Sequence, residues 1–229
     1  MNRITRTIFI PIVLASLSAC AHFGGGTRFT APSDLPLNAG VKDLSFLTDM
    51  EKEVLLYLND VRTSPERYAA HLKEVGEKPG WPARPESTPP ETAGEEGQGM
   101  DETILSLQNR QPLPPLKASK GLSLAARDLV QNLGPKGLTG HKASDGSTLF
   151  ERMDRYGQWE GKTVEILTYG YSDAGALMDA MLADRSPSGR EDREGLFNRS
   201  YLVAGVSCGP HKTYSTMCAI IFAQEYKEN

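Results

Sequence analysis

The chain has 229 residues and carries 25 Lys+Arg against 29 Asp+Glu, which gives a net charge of −4. This length is enough for one domain with a sizeable hydrophobic core. The basic residues form no cluster or run, so the composition argues against a nucleic-acid partner, because neutralising phosphates requires clustered cations.

The first 19 residues have the form of a bacterial secretory signal. Two arginines precede an apolar run from Ile8 to Leu17, which is too short to span a bilayer as a helix. The run ends in Leu-Ser-Ala-Cys, which resembles a bacterial lipobox and implies cleavage before Cys20 and lipid attachment at Cys20. The lipid would anchor the protein at the membrane surface on its extracytoplasmic side. The alternative is an ordinary signal peptide that is cut one residue to either side and leaves Cys20 unmodified.

The mature chain is expected to consist of a tether and one folded domain. Loss of residues 1–19 removes two arginines and no acid, which leaves 23 Lys+Arg against 29 Asp+Glu and a net charge of −6. Residues 20–43 are rich in Gly, Pro, Ser and Asn and predict a flexible tether, with residues 44–229 as a single domain. The alanine after Cys20 is compatible with sorting to the outer membrane, facing the periplasm, in a double-membrane host.

The domain is predicted to begin with two helices. Thr48 and Glu51 form a capping box, and apolar residues recur at helical spacing from there through Val61. The dipeptide Ser64-Pro65 supplies a cap and a first-turn proline for the second helix.

Residues 76–98 form a Pro-, Gly- and Glu-rich insertion. Their only large apolar side chain is Trp81, so the segment cannot bury enough surface to fold alone. We expect a flexible or loosely packed insertion that Trp81 attaches to the body of the domain.

The remaining chain alternates helices with strands, which favours an α+β fold or layered α/β/α packing. The predicted elements are a helix over Met100–Gln108, a helix capped by Ser119, a short helix starting at Ser147, a strand over 163–169, a helix starting at Ser172 or Asp173, and strands over 201–208 and 214–224.

The last two strands contain two cysteines. With Thr213 at the centre of a hairpin turn, Cys208 lies opposite Cys218, at about the cross-strand distance that a disulfide requires. Disulfides persist in exported proteins, so we expect this pair to be bonded. The alternative is two buried free thiols.

A histidine in a glycine-flanked loop and an acid on a strand are the candidate site residues. His141 follows Gly140, and strand alternation places Glu165 on one sheet face, which predicts an exposed carboxylate paired with His141. Such a pair can hold a divalent metal or a polar ligand in one cleft. The alternative is a loop histidine that bonds a neighbouring carbonyl, beside a solvated glutamate. His71 and His211 have no partners at ligand spacing and are assigned no role.

The order of the motifs from residue 48 to residue 226 resembles the bacterial form of the CAP superfamily, the secreted SCP/PR-1-like proteins. This resemblance implies an α/β/α sandwich with a central, mostly antiparallel sheet flanked by helices. It is carried by Asn59-x-x-Arg62, Leu113-Pro114-Pro115-Leu116, Gly140-His141, Asp145-Gly146-Ser147, Arg152 with Tyr156-Gly157, Glu165-Ile166 and Gly205-Val206.

The cleft of this family typically gathers two histidines and acidic residues. By resemblance, His141 matches the first histidine and Glu165 the acid, whereas Asp192 stands where the second histidine is expected. The resemblance thus implies a degenerate metal site formed by these three residues. A carboxylate in place of an imidazole would shift its preference from zinc towards Mg²⁺, Ca²⁺ or Mn²⁺. Alternatively, Asp192 belongs to a self-neutralised surface loop.

The resemblance implies a binding module rather than an enzyme, with an envelope component or a small apolar molecule as its ligand. The sequence contains no nucleophile elbow, His-Glu-x-x-His motif, P-loop or dinucleotide fingerprint. The alternatives are a metal-dependent hydrolase that uses His141 and Glu165, and a structural envelope protein. We expect a monomer held at the membrane by its lipid.

Overall fold

The computed structural model describes residues 43–77, 81, 100–184 and 186–229. The predicted signal peptide, the lipidation site at Cys20, almost all of the tether and most of the insertion lie outside the described residues. Within the described ranges, no helix is both long and apolar enough for a membrane span.

The sheet at the centre of the domain has four strands in the described part of the chain. Their order across the sheet is β1-β3-β4-β2, and the β1–β3 pair is parallel while the other two pairs are antiparallel. This confirms the mostly antiparallel sheet that was predicted. The strands are β1 (Lys117–Ala118), β2 (Gly157–Tyr169), β3 (Val203–His211) and β4 (Ser215–Glu228).

Helices cover both faces of this sheet, which confirms the predicted α/β/α sandwich. One face carries α4 and α5, and the remaining helices form the layer over the other face. The helices are α1 (Asp49–Thr63), α2 (Pro65–Gly76), α3 (Met100–Gln108), α4 (Lys120–Leu133), α5 (Leu149–Asp154), α6 (Ala174–Ala183) and α7 (Pro187–Leu196).

Strand β4 supplies apolar side chains to both layers. Ile220 and Phe222 belong to the core under α1 and α6, while Ala219 and Ile221 belong to the core under α4. Successive residues of a strand point to opposite faces, so a continuous apolar run indicates a strand that is covered on both sides.

A buried arginine in α1 connects this helix to two loops. Arg62 Nε donates to the carbonyl of Pro114 at 3.3 Å, and Nη2 donates to that of Tyr201 at 3.1 Å. Nη1 donates to the carbonyl of Leu196 and, at 3.3 Å, to that of Asn198. Burial lowers the pKa of Arg62 to about 10. The loop after α7 is therefore fixed to α1 by a single guanidinium group.

Several element boundaries differ from the prediction. Strands β3 and β4 start two and one residues later, and end three and four residues later, than predicted. Helix α5 is capped by Thr148 rather than Ser147, because Thr148 and Glu151 form a complete capping box, while Ser147 Oγ donates to Asp145 Oδ1 at 2.7 Å. Strand β2 begins at Gly157, six residues before the predicted start, because it continues to pair with β4 beyond a register shift.

The hairpin of β3 and β4 has the predicted register. Cys208 lies opposite Cys218, and the two sulfur atoms form a disulfide bond. The prediction of a bonded pair is therefore confirmed.

Replacing both cysteines with serine is expected to lower the free energy of unfolding by about 2–3 kcal/mol. The reason is that the bond restricts the unfolded chain over a loop of about ten residues. Urea denaturation of the wild type and the double variant, each with and without reductant, measures this change. Reductant should destabilise the wild type alone, and an equal effect on the double variant would contradict the explanation.

Candidate functional site

The structure brings His141 and Glu165 together at one end of β2. Nδ1 of His141 lies 3.1 Å from Oε2 of Glu165, although 24 residues separate them in the chain. The His141 side chain is 64% exposed, whereas that of Glu165 is 2% exposed. The pairing that the sequence suggested is present, but the expectation of an exposed carboxylate is wrong.

Glu165 is buried because α5 places Arg152 over it. Nη1 and Nη2 of Arg152 donate to Oε1 at 3.1 and 2.9 Å, and Nη2 also donates to Oε2 at 3.1 Å. The Arg152 side chain has no exposure. Desolvation lowers the pKa of Arg152, while the negative charge of Glu165 opposes that shift. Both carboxylate oxygens thus have a cationic partner within the chain.

Arg152 also fixes the backbone of the histidine loop. Its Nη2 donates to the carbonyl oxygen of His141 at 3.3 Å, and its Nε donates to that of Thr148 at 3.3 Å. One guanidinium group therefore positions the loop and the carboxylate together. The sequence resemblance included Arg152 but assigned it no role, since only the tertiary fold shows which acid it meets.

Tyr169, the last residue of β2, forms a hydrogen bond to the loop that carries His141. The backbone N–H of Gly140 donates to the hydroxyl of buried Tyr169 at 3.2 Å. Gly140 has a φ of 105°, which is costly for residues other than glycine. The residue before His141 thus turns the chain so that the imidazole reaches Glu165.

His211, to which the sequence assigned no role, supports the same loop. Its Nε2 lies 3.0 Å from the carbonyl oxygen of Leu138, and its Nδ1 accepts from the backbone N–H groups of Thr213 at 3.2 Å and Tyr214 at 3.1 Å. Because Nδ1 accepts two hydrogen bonds, the proton of the neutral ring must be on Nε2. The tight turn after β3 creates this contact, which residue spacing alone does not indicate.

Asp192, on α7, faces the same region but forms no close ion pair among the described residues. Burial raises the pKa of Asp192 to about 6, the negative charge of Asp184 adds to this shift, and His141 acts against it. The described part of the chain contains no group of three His, Cys, Asp or Glu side chains with metal-binding geometry. Metal binding by His141, Glu165 and Asp192 stays a prediction.

A comparison with protein families matches residues 55–226 to CAP, the cysteine-rich secretory protein family. The chain belongs to the CAP family. The match includes the buried Arg62, the paired His141 and Glu165, and the disulfide hairpin. A comparison with curated proteins finds no significant match.

Solved structures similar to this CAP domain come from three bacteria. An outer surface protein of Borrelia burgdorferi is 21% identical, with a TM-score of 0.43, and the match covers 57% of this chain and 98% of that one. An extracellular SCP-domain protein of Bacillus anthracis is 17% identical, with a TM-score of 0.41 and coverages of 54% and 37%. A cysteine-rich secretory protein of Staphylococcus aureus is 18% identical, with a TM-score of 0.38 and coverages of 55% and 36%.

Another buried acid of the CAP domain, Asp179 of α6, contacts residues of α2. Asp179 accepts from the Tyr68 hydroxyl at 2.7 Å and from Nε1 of Trp81 at 3.4 Å, and it lies 3.1 Å from Nε2 of His71. Trp81 thus contacts the body of the domain as predicted. His71, to which the sequence assigned no role, is paired with the same carboxylate. These contacts attach one residue of the insertion to the helical layer.

Replacing Asp192 with asparagine is expected to remove one source of pH dependence in stability. A carboxyl group whose pKa is raised in the folded state stabilises the fold below about pH 4, and this contribution is lost as the pH rises through about 6. The free energy of unfolding of the variant, relative to that of the wild type, should therefore rise by about 1 kcal/mol between pH 4 and pH 7.5. This value is reduced because the Asp192 side chain is partly exposed. Urea denaturation at a series of pH values measures the difference in stability between the two proteins. A difference that does not change with pH would refute the raised pKa of Asp192.

Proposed function

We propose that this protein is a lipid-anchored, extracytoplasmic binding module without catalytic activity, and that its ligand is an envelope component or a small apolar molecule. The observation that supports this proposal most strongly is the pairing of both Glu165 oxygens with Arg152. A carboxylate engaged in this way is a poor general base and a poor metal ligand, because each role requires a free lone pair.

Two of the hydroxyl groups close to His141 in the sequence are engaged elsewhere. Ser147 donates to Asp145 at 2.7 Å, and Ser144 contacts the ammonium group of Lys136. A nucleophilic triad requires a hydroxyl within hydrogen-bond reach of the imidazole. These contacts favour binding over acyl transfer at this site.

The surface around His141 is suited to contact with a ligand that is partly apolar. The imidazole ring is 64% exposed, and Leu138 in the same loop is 44% exposed. Gly140, Arg152 and His211 hold the loop in one conformation, so a ligand would meet a largely preformed surface.

The extracytoplasmic, lipid-anchored location rests on the lipobox-like sequence and on the disulfide. The bond between Cys208 and Cys218 is of a kind that persists in oxidising compartments. Replacing Cys20 with serine should move the protein from the membrane fraction to the soluble fraction and abolish labelling by a radioactive fatty acid. Unchanged labelling would refute lipidation at Cys20.

The alternative proposal is a metal-dependent hydrolase that uses His141 and Glu165 with Asp192. The exposure of the His141 ring and its electrostatic proximity to Asp192 favour it. A cation bound at Glu165 would lie next to the guanidinium of Arg152, which contacts both carboxylate oxygens, and the two positive charges would repel each other. The present arrangement therefore fits a metal poorly.

Replacing His141 with alanine is expected to weaken binding of an apolar probe while leaving the fold intact, because the side chain is largely exposed. We expect saturable binding of cis-parinaric acid, a fluorescent fatty acid, to the full-length protein, and at least about threefold weaker binding to the variant. Lys142→Ala, at the next exposed position in the loop, is the matched control and should bind like the wild type.

Equilibrium dialysis with Mn²⁺ and Zn²⁺ distinguishes the proposed binding module from the metal-dependent hydrolase. The binding-module proposal predicts no stoichiometric metal in the wild type. One bound ion that is lost in His141→Ala would contradict this proposal and support the hydrolase.

A further inference from the structure

A cavity of about 260 Å³ lies between α3 and α7, and no role has been assigned to it. Three arginine side chains line it: Arg110 follows α3, and Arg190 and Arg193 belong to α7. Leu107 and Phe197 add an apolar part to its wall. The cavity thus combines guanidinium groups with an apolar surface.

This cavity is distinct from the candidate site at His141. Arg190, Arg193 and Phe197 follow one another at intervals of three and four residues, so they share one face of α7. By the same helical spacing, Asp192 lies on nearly the opposite face, towards His141. The helix therefore separates the two regions.

Arg110 is rigidly placed and lacks one hydrogen-bond acceptor. Its guanidinium carbon lies 4.1 Å from the centre of the Phe197 ring, and its Nη2 donates to Ser106 Oγ at 3.2 Å. Its Nε is buried with no acceptor in the described part of the chain. Burial lowers the pKa of Arg110, and the charge of Glu194 opposes this shift. The side chain as a whole is half-buried, so an anionic oxygen in the cavity would accept from the outer guanidinium nitrogens rather than from Nε.

The other charged groups of the cavity leave it positive. Arg193 is held by the carbonyl oxygens of Leu182, at 3.3 Å, and Asp184, so it acts as a fixed charge. Arg190 is exposed and has no ion-pair partner among the described residues. Glu102 and Glu194 also line the cavity, so three guanidinium groups face two carboxylates.

We propose that the cavity binds a small phosphate monoester, whose apolar part lies against Leu107 and Phe197. Arginine is the residue best suited to bind such a group, because its planar guanidinium donates two parallel hydrogen bonds to phosphate oxygens. Arg110, which is held against Phe197 and Ser106, would supply a positioned donor, and the exposed Arg190 would supply an adaptable donor at the entrance.

The test uses two soluble phosphate esters and the purified full-length protein. Phenyl phosphate carries an aromatic ring, and glycerol 3-phosphate carries the chemistry of a phospholipid headgroup. Isothermal titration calorimetry should show saturable binding of at least one ester and none of benzyl alcohol, the uncharged control. Arg190→Gln and Arg110→Gln should each weaken this binding at least about tenfold. Tighter binding of phenyl phosphate indicates a free aromatic anion as the ligand, and tighter binding of glycerol 3-phosphate indicates a headgroup.

Arg199→Gln is the matched control, since it removes one exposed positive charge outside the cavity. It should bind the esters like the wild type. The Nε–H resonance of Arg110 should also shift on titration, which a purely structural arginine would not show. Absence of saturable binding to both esters, or an equal loss of affinity in Arg199→Gln, would overturn the proposal.

Discussion

Replacing Arg152 with methionine is expected to lower the free energy of unfolding by about 3–5 kcal/mol. The variant keeps most of the side-chain volume but leaves Glu165, which is 2% exposed, without the guanidinium that contacts both of its oxygens. An unpaired buried carboxylate costs several kcal/mol, and removal of one partner of a buried ion pair typically has an effect of this size. Urea denaturation at pH 7 measures the change.

Arg155→Met is the matched control for this prediction. Arg155 follows the same helix and pairs with Asp128 at 2.7 Å, but its side chain is 42% exposed. An exposed pair contributes less than about 1 kcal/mol, so the two variants should differ clearly in stability. Equal effects would mean that burial does not decide the strength of the Arg152 pair.

Replacing Arg62 with methionine is expected to lower the free energy of unfolding by about 3–4 kcal/mol. The guanidinium donates to four backbone carbonyls in the loops before β1 and after α7. Methionine fills much of the space but donates no hydrogen bond, and each buried carbonyl left without a partner costs about 1 kcal/mol or more. Denaturation with urea, followed by far-UV circular dichroism, measures the loss.

Arg199→Met serves as the control for Arg62, because Arg199 lies in the loop after α7 and is exposed. Its replacement should change stability by less than about 0.5 kcal/mol. Hydrogen exchange offers a second measurement. Without Arg62, the amides of residues 196–201 should exchange faster, while those of β4 should lose protection only to the extent of the global destabilisation.

Sequence patterns predict those parts of the fold that depend on residues close together in the chain. The hairpin register follows from the turn position, so the partner of Cys208 could be identified before the structure was known. The capping box at Thr48 likewise fixed the start of α1. Serine and threonine have similar capping preferences, so residue type alone does not distinguish Ser147 from Thr148 as the cap of α5, whereas the glutamate three residues after Thr148 does.

The candidate site could be predicted only in part, because its geometry depends on contacts between distant segments. Motif resemblance placed His141 beside Glu165, and the structure brings them to 3.1 Å. Neither motif nor spacing indicates that Arg152 turns inward and covers the carboxylate. Such contacts are set by how α5 packs against β2, which is a tertiary property.

Arg152 and Glu165 form a buried pair that organises the site at His141, and we propose that this pair withdraws the carboxylate from catalysis. The most direct test is a double-mutant cycle on the free energy of unfolding with Arg152→Gln, Glu165→Gln and the combined variant. The ion pair predicts a coupling energy of about 2–4 kcal/mol, with the combined variant more stable than Arg152→Gln alone. A coupling below about 0.5 kcal/mol would contradict the claim and leave Glu165 free to act as a base or a metal ligand.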